Sequence, residues 1–527
     1  MVATVPTFGA IAGKPLGLAT LHASALVGLE PHPIRVEVAC TRGPAFFQLV
    51  GLAEAAVREA RVRVASSLAR LGVLLDEFAI TVNLAPADLR KTGAALDVPL
   101  ALGVLGAIEA LPTGAFEGVL VIGELGLDGR LSPIRGVLPQ LEGARERGLR
   151  EAIVPVGNSR EAGLVAGITV RAASTLADVV AHFSGEGDLP VVPRTELPEE
   201  PARPAQGDLA DVRGQASARR ALELAAAGGH NLLMIGPPGG GKTMLARLLP
   251  TILPALTWEE AIEATAIHSV AGLVDPARGI VTQRPFRAPH HSVSEAGLVG
   301  GGDLPRPGEV SLAHHGVLFL DELAELRRSA LEALRQPLED GRVCIARARA
   351  RAWFPARPMV VGAVNPCPCG YHGHPRRACR CTAGQRQAYQ ARLSGPLLDR
   401  LDVHVAVPAV EVSALVGGAP GEASAAVRGR VVAARDRQRA RRERGLVGAL
   451  TNAALTAAEV AAVAPLDAAG RRLLETAVSQ LGLSARAYTK VLRVARTAAD
   501  LEARDEVLPV DVAEAIQARL ADRESAR

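Results

Sequence analysis

The period of hydrophobic and polar positions changes along the chain, and each change marks an element. Residues 34–39 (IRVEVA) and 80–84 (ITVNL) alternate with period two and predict strands. Between them, residues 52–71 carry apolar side chains at helical spacing with arginines interleaved, which predicts a helix. Residues 97–110 are apolar on nearly every face and predict a buried helix, and 119–123 read as a third strand. This mixture predicts an α/β domain over residues 1–187.

Periodicity stops at residues 188–208. Pro190, Pro193, Pro198, Pro201 and Pro204 stand there among Glu196, Glu199 and Glu200. Proline fixes φ and removes a donor, and the charges resist burial, so the stretch predicts an exposed, semi-rigid linker. Beyond it, residues 209–406 alternate short apolar strands with helices, while 407–527 are rich in Ala, Leu and Arg. That last region predicts helices at 424–444, 466–480, 484–503 and 509–522. A chain of 527 residues exceeds one ordinary core, in keeping with this division.

The most specific chemistry follows the apolar run at 231–235 (NLLMI). It leads into Gly236, Pro237, Pro238, Gly239, Gly240, Gly241, Lys242 and Thr243, and a helical pattern follows. In a G-x-x-x-x-G-K-T loop the glycines let backbone N–H groups surround a polyphosphate. Lys242 supplies a cation for the β- and γ-phosphates, and the Thr243 hydroxyl a ligand for Mg²⁺. A second buried strand, 316–320 (GVLFL), ends in Asp321 and Glu322. Asp321 is suited to hold the metal and Glu322 to polarise the attacking water. A third strand, 359–364 (MVVGAV), ends at Asn365, whose amide can touch the γ-phosphate or that water. The set predicts an ATP hydrolase that uses ATP and Mg²⁺.

Residues 284–291 (RPFRAPHH), 300–302 (GGG), 307–314 (PGEVSLAH), 334–341 (LRQPLEDG) and 365–370 (NPCPCG) join these strands into one continuous pattern. The pattern resembles the ComM/YifB family of magnesium-chelatase-like AAA+ ATPases, over nearly the whole chain. The resemblance implies an α/β fold with an AAA+ P-loop core, a C-terminal helical lid and a homo-hexameric ring that binds ATP between subunits. Residues 394–402 (SGPLLDRLD) match the family's arginine-finger segment, which implies that Arg400 reaches a neighbour's γ-phosphate. Ser484, Ala485 and Arg486 match sensor 2, which makes Arg486 the implied reader of ATP in its own subunit, and Asn365 matches sensor 1.

The N-terminal domain resembles the Lon protease fold. However, Ala95 stands where the protease carries its serine, and residues 133–140 (PIRGVLPQ) offer no lysine. Without nucleophile or base, amide hydrolysis by that dyad is not available, and the domain reads as a scaffold or a dock for a protein partner.

Cys367, Cys369, Cys379 and Cys381 form two C-x-C pairs separated by nine residues. Four thiolates can close a tetrahedral Zn²⁺ site, with His372 and His374 as alternative ligands, and no open position suggests catalysis. Such a cluster in a reducing compartment favours metal over disulfides. Cys40 and Cys344 read as small hydrophobes. Arg342, Arg347, Arg349, Arg351 and Arg357 lie between the second and third strands. Strand period puts Arg347, Arg349 and Arg351 on one face, either to track DNA phosphates or to protect an edge strand by charge. Residues 428–444 hold eight arginines, facing DNA or solvent between subunits; both readings stand. The pairs His290/His291 and His314/His315 are poor metal sites, because neighbouring side chains in extended backbone point opposite ways.

Composition narrows the rest. At 48% hydrophobic and 22% charged the chain is globular. A net charge of +4 is too small at this length to argue for a nucleic-acid partner. A grip on single strands built mainly on base stacking would want more aromatics than 3%, and in clusters. No apolar run reaches the ~18–20 residues of a membrane span, and the N-terminus lacks the basic start of a signal peptide, so a cytoplasmic protein is expected. The leading expectation is a ring-forming motor that moves along DNA, as in branch migration during recombination or natural transformation. A chelatase-type motor and a protein-remodelling chaperone are the alternatives.

Overall fold

A computed structural model describes residues 15–51, 55–89, 95–196, 207–347, 350–374, 376–409, 420–481 and 484–519 of a mixed α/β chain. In the N-terminal part, β1 (Pro15–Val27), β2 (Glu30–Arg42), β3 (Phe46–Val50), β4 (Phe78–Ala85) and β5 (Val119–Val121) come first along the chain. β6 (Glu124–Leu125) and β7 (Leu131–Ser132) make a small ribbon, and β8 (Glu151–Pro155) and β9 (Thr169–Ala173) follow. Seven of these form one sheet in the order β3-β4-β2-β1-β5-β8-β9. Two of the three predicted strands fall inside β2 and β4, which pair antiparallel, and the third begins with β5. The predicted buried helix is Asp97–Ala107, all of it out of solvent. Its first residue, Asp97, keeps a carboxylate in that environment by accepting from Arg63 Nε at 2.6 Å and from the backbone N–H of Leu125 at 3.1 Å. Burial pushes the Asp97 pKa up, against Arg63.

The predicted linker differs from its expectation over its first part. Residue 190 lies along β9, where Ala172 N–H donates to the Pro190 carbonyl at 3.1 Å, and Val192 N–H donates to the Val170 carbonyl at 2.8 Å. Leu189 is buried in the domain core. The reason is local: apolar residues between the prolines cover the edge of the sheet. Residues 197–206 lie outside the described residues.

The second region is built on five parallel strands: β10 (Leu232–Ile235), β11 (Phe286–Arg287), β14 (Val317–Leu320), β17 (Met359–Val364) and β18 (Val403–Ala406). They lie in the order β11-β14-β17-β10-β18. β10, β14 and β17 are buried at every position, as unbroken apolar runs in a covered parallel sheet must be. Two ribbons project from it: β12 (Gly300–Gly301) with β13 (Arg306–Pro307), and β15 (Arg342–Arg347) with β16 (Ala350–Pro355).

The C-terminal helices Ser424–Glu443, Ala468–Leu481, Ala485–Leu501 and Pro509–Gln517 follow the predicted spans closely. Val431, Val491, Val494 and Val512 share one core with Leu222, Leu245 and Val361, so the helices close over the sheet's back. The arginine-rich helix is not basic all round. Arg430 pairs with Glu223 and Glu422, Arg437 with Asp505, Arg441 with Asp500, and Arg435 donates to the Ala226 carbonyl. Part of its charge therefore fastens it to the helix Ala216–Gly228 and part to the neighbouring C-terminal helix and the turn after it.

The N-terminal domain is docked on that region as well. Leu138, Leu141 and Val154 pack with Leu256, Ala261 and Ile280. Buried Glu161 accepts from the Leu138 N–H at 2.8 Å and from the Ser269 hydroxyl, and Ser269 Oγ in turn accepts from Gly136 N–H at 2.9 Å.

Candidate functional site

Parallel order decides where the chemistry collects. Because β10, β17 and β14 are neighbours and run the same way, the residues following each strand meet at one edge of the sheet. After β10 the chain turns at Gly236, where a Cβ would lie 1.9 Å from the Val407 carbonyl oxygen, so no larger residue fits. The helix Lys242–Ile252 starts at the end of the loop. Lys242 is only 8% exposed, and its Nζ donates to the Gly236 carbonyl at 2.6 Å, the Pro237 carbonyl at 3.0 Å and Asn365 Oδ1 at 3.1 Å. Burial lowers its pKa, and Asp321 and Glu322 oppose that shift.

Thr243 Oγ1 donates to Asp321 Oδ2 at 2.9 Å, and Asp321 Oδ1 accepts from the N–H of Glu322 at 2.9 Å. Glu322 itself is left-handed at φ 48, a conformation that costs a non-glycine residue about 1–3 kcal/mol and clusters at functional sites. Its Oε2 lies 3.0 Å from His291 Nδ1. Hydroxyl and carboxylate oxygens beside a buried ammonium are the donor set of a magnesium–polyphosphate, so the residues fit both groups. Lys242, Thr243, Asp321, Glu322 and Asn365 are thus brought together. Arg400 and Arg486 are not. Arg400 pairs with Glu339 and donates to the Pro396 carbonyl. Arg486 is exposed at the start of its helix, beside the Ser484 cap, and forms no ion pair among the described residues.

Beside this edge, the loop after Asn365 gathers four sulfurs. Cys367, Cys369, Cys379 and Cys381 have ligand atoms all within 4.8 Å of one another. Cys367 and Cys369 are 3.4 Å apart, and both lie 3.7 Å from Cys379. A tetrahedral Zn–S₄ centre with bonds of about 2.3 Å needs sulfur separations of about 3.8 Å. Burial pushes the Cys367 thiol up to about 12, while the backbone N–H groups of Tyr371 and Arg380 bring Cys369 down to about 6. The alternative ligands do not join. His374 Nδ1 instead accepts from the N–H groups of Arg376 and Arg377.

The arginine row is redrawn. The chain reverses between Arg347 and Ala350, so Arg347 pairs with Ala350 and Ala346 with Arg351, placing Arg347 and Arg351 on opposite faces of a ribbon. Period-two reasoning assumed one uninterrupted strand. Arg349 lies outside the described residues. Val343, Ile345, Ala352 and Phe354 are buried on one face. On the other face Trp353 is 39% exposed, with the Arg342 guanidinium 4.4 Å and the Arg351 guanidinium 5.0 Å from its ring centre.

The histidine pairs also depart from expectation. The rings of His290 and His291 are 4.0 Å apart and those of His314 and His315 3.8 Å, because neither pair lies in a strand. Both His314 and His315 meet Glu263 Oε2 at 2.9 Å. His314 Nδ1 accepts from Arg357 N–H at 3.0 Å, which leaves its other nitrogen to donate, not to ligate a metal. Sequence reasoning missed His291 against Glu322, Trp353 on the ribbon, and Tyr389, buried in the cluster that holds Val364 beside Asn365. Only the RPFRAPHH pattern hinted at the first; the others needed the fold.

Comparison with known proteins agrees with this arrangement. Residues 208–415 match the family "magnesium chelatase, subunit ChlI", residues 36–158 "subunit ChlI of Mg-chelatase", and residues 421–519 the ChlI C-terminal family. The competence protein ComM of Haemophilus influenzae is 42% identical over 508 residues, 95% of this chain and 97% of that one. This chain belongs to the ComM/YifB family of magnesium-chelatase-like proteins. The uncharacterized protein YifB of Salmonella typhimurium is likewise 42% identical, over 96% of this chain and 98% of its own. Lon protease 2 of Bacillus subtilis is 32% identical over 146 residues, 25% of each chain. The family gives AAA+ character to the phosphate-loop region. Among the described residues no helix is long and apolar enough to cross a membrane.

Proposed function

We propose that this protein is an AAA+ ATPase that forms a homo-hexameric ring in the cytoplasm and uses hydrolysis to move along DNA, driving branch migration. The observation that carries the ATPase reading is the hydrogen-bonded set of Lys242, Thr243, Asp321 and Asn365 at one sheet edge. In this reading the loop 236–241, through the N–H groups of its glycines, and Lys242 bind the polyphosphate, and Thr243 and Asp321 hold Mg²⁺. Bound Mg²⁺ supplies charge neutralisation at the phosphate oxygens. Glu322 orients the attacking water and accepts its proton at the carboxylate, and Asn365 positions that water. Arg486 reads the nucleotide from the lid, and Arg400 serves a neighbouring subunit.

Support for DNA comes from the ribbon: Trp353 between Arg342 and Arg351 offers a stacking surface flanked by cations. Arg347 and Arg351 near the end of the ribbon remain candidate contacts, as does Arg349 outside the described residues. The name of the competence relative agrees with a role in transformation. The N-terminal domain is a Lon-like scaffold without the protease dyad, open to a protein partner, and the four cysteines hold structural Zn²⁺.

The test is ATP-driven displacement of a labelled strand in a four-way DNA junction. Wild type is expected to move the junction and Lys242→Ala to leave it in place. Hydrolysis that neither responds to DNA nor moves it would favour a protein or chelatase client instead.

A further inference from the structure

The thiolate cluster stands on a loop whose anchors all lead to the nucleotide site. At its start, Asn365 accepts from Lys242 Nζ at 3.1 Å. In its middle, Gly370 packs so tightly on the phosphate loop that a Cβ there would lie 2.5 Å from Pro238 Cδ. Gly370 adopts φ +81 and closes a turn by donating to the Cys367 carbonyl at 2.9 Å. At its end, the helix Ala383–Gln390 begins at Thr382, directly after Cys381, with a reciprocal cap between Thr382 and Gln385. That helix carries buried Tyr389 back into the core cluster that holds Val364, the residue before Asn365. The loop therefore leaves the end of β17, touches Pro238 and returns to the core beside that strand.

Apolar packing holds little of this circuit. Among the loop's described residues Pro366, Cys367 and Gly370 are buried, Cys369, Cys379 and Cys381 are half-buried, and Arg377 stacks on Tyr371 near the surface. A segment with so few apolar contacts gains its order from a cross-link. A tetrathiolate Zn²⁺ centre is such a link, joining residues 367–369 to 379–381 across the loop.

On the reading of the cysteines as a zinc site and of residues 236–243 as an ATP site, we infer that the zinc centre is a clamp on the nucleotide site. It fixes Asn365 and the Pro238 turn, and its four cysteines are positioning residues for hydrolysis. Loss of zinc loosens Asn365 without removing any group that touches the phosphates through Lys242 or Thr243. Turnover should then fall much more than nucleotide affinity, since a displacement of about 1 Å at a reacting group costs on the order of 10²-fold.

The experiment uses the full chain purified without chelator, its Cys379→Ser/Cys381→Ser variant, and wild type stripped by a zinc chelator and then resupplied with Zn²⁺. Metal content, melting temperature, nucleotide affinity, kcat and KM are measured on each. The expected result is one zinc per chain in wild type and little in the variant. In the stripped chain kcat is expected to fall at least about tenfold with KM changing less, and Zn²⁺ is expected to restore it. A wild-type chain without stoichiometric zinc after growth in zinc-replete medium overturns the site. A stripped, folded chain with unchanged kcat overturns the clamp while leaving the site. A zinc-loaded chain that hydrolyses no ATP overturns the ATPase reading on which the clamp depends, and its metal count still reports on the site alone.

Discussion

Glu322 holds a left-handed backbone next to the metal-holding carboxylate, with His291 against its side chain. If it is the group that takes the proton from water, Glu322→Gln lowers kcat by roughly 10²–10⁴-fold and leaves nucleotide binding near wild type. Equal loss of binding and turnover, measured by fluorescent nucleotide titration beside steady-state rates, would assign Glu322 a structural role. A second residue-scale prediction concerns buried Asp402. Lys490 Nζ at 2.5 Å and His230 Nδ1 at 3.3 Å lie beside its carboxylate, and although burial opposes them, they hold its pKa far below the usual carboxylate range. A carboxylate depressed on folding contributes stability above its unfolded pKa of about 3.9, which is lost as pH falls toward the folded value. Asp402→Asn leaves Lys490 buried and unpaired and should cost about 3–5 kcal/mol near pH 7. In urea unfolding the gap to wild type should narrow below about pH 4; a gap independent of pH would contradict the ion pair.

At the scale of elements, the strands and helices that hold the site were legible because buried parallel strands are unbroken apolar runs. Residues 231–235, 316–320 and 359–364 could be read directly, and so could the glycine-rich loop after the first and the polar residues after the other two. Helix spans at 424–444 and 484–503 were legible from period alone. The β15–β16 ribbon was not, since the alternating Arg-Ala stretch at 346–352 has the same period through the turn as along a strand. The pairing of charges on the arginine-rich helix was hidden for another reason: its acidic partners Glu223, Asp500 and Asp505 come from elements distant in sequence. The ribbon supplies its own prediction. Trp353→Ala should weaken single-stranded DNA binding by about 1–3 kcal/mol, or roughly 5- to 150-fold, with ATP hydrolysis in the absence of DNA unchanged. Unaltered affinity in fluorescence anisotropy at fixed salt would remove the ribbon as the DNA contact.

For the whole molecule, docking links the parts. Val27 and Leu29, at the turn between β1 and β2, pack into the cluster that includes Ile345, Ala352 and Phe354, so the N-terminal domain supports the ribbon from its buried face. Arg400 is engaged with Glu339 and not with its own phosphate loop, and in the proposed ring it serves a neighbour's site. Mixing chains that carry Lys242→Ala with chains that carry Arg400→Ala, each inactive alone, should restore hydrolysis at roughly a quarter of interfaces in a random ring. Absence of recovery despite mixed assembly would place Arg400 in its own subunit's chemistry or outside it.

The motor reading depends on hydrolysis at the edge formed by β10, β14 and β17. The most direct test is steady-state phosphate release from MgATP by the full chain, compared with Lys242→Ala at matched folding. Turnover is expected from wild type, with a loss of at least about 10²-fold in the variant. Equal rates in the two chains, or none in a folded, assembled wild type with and without DNA, would contradict it.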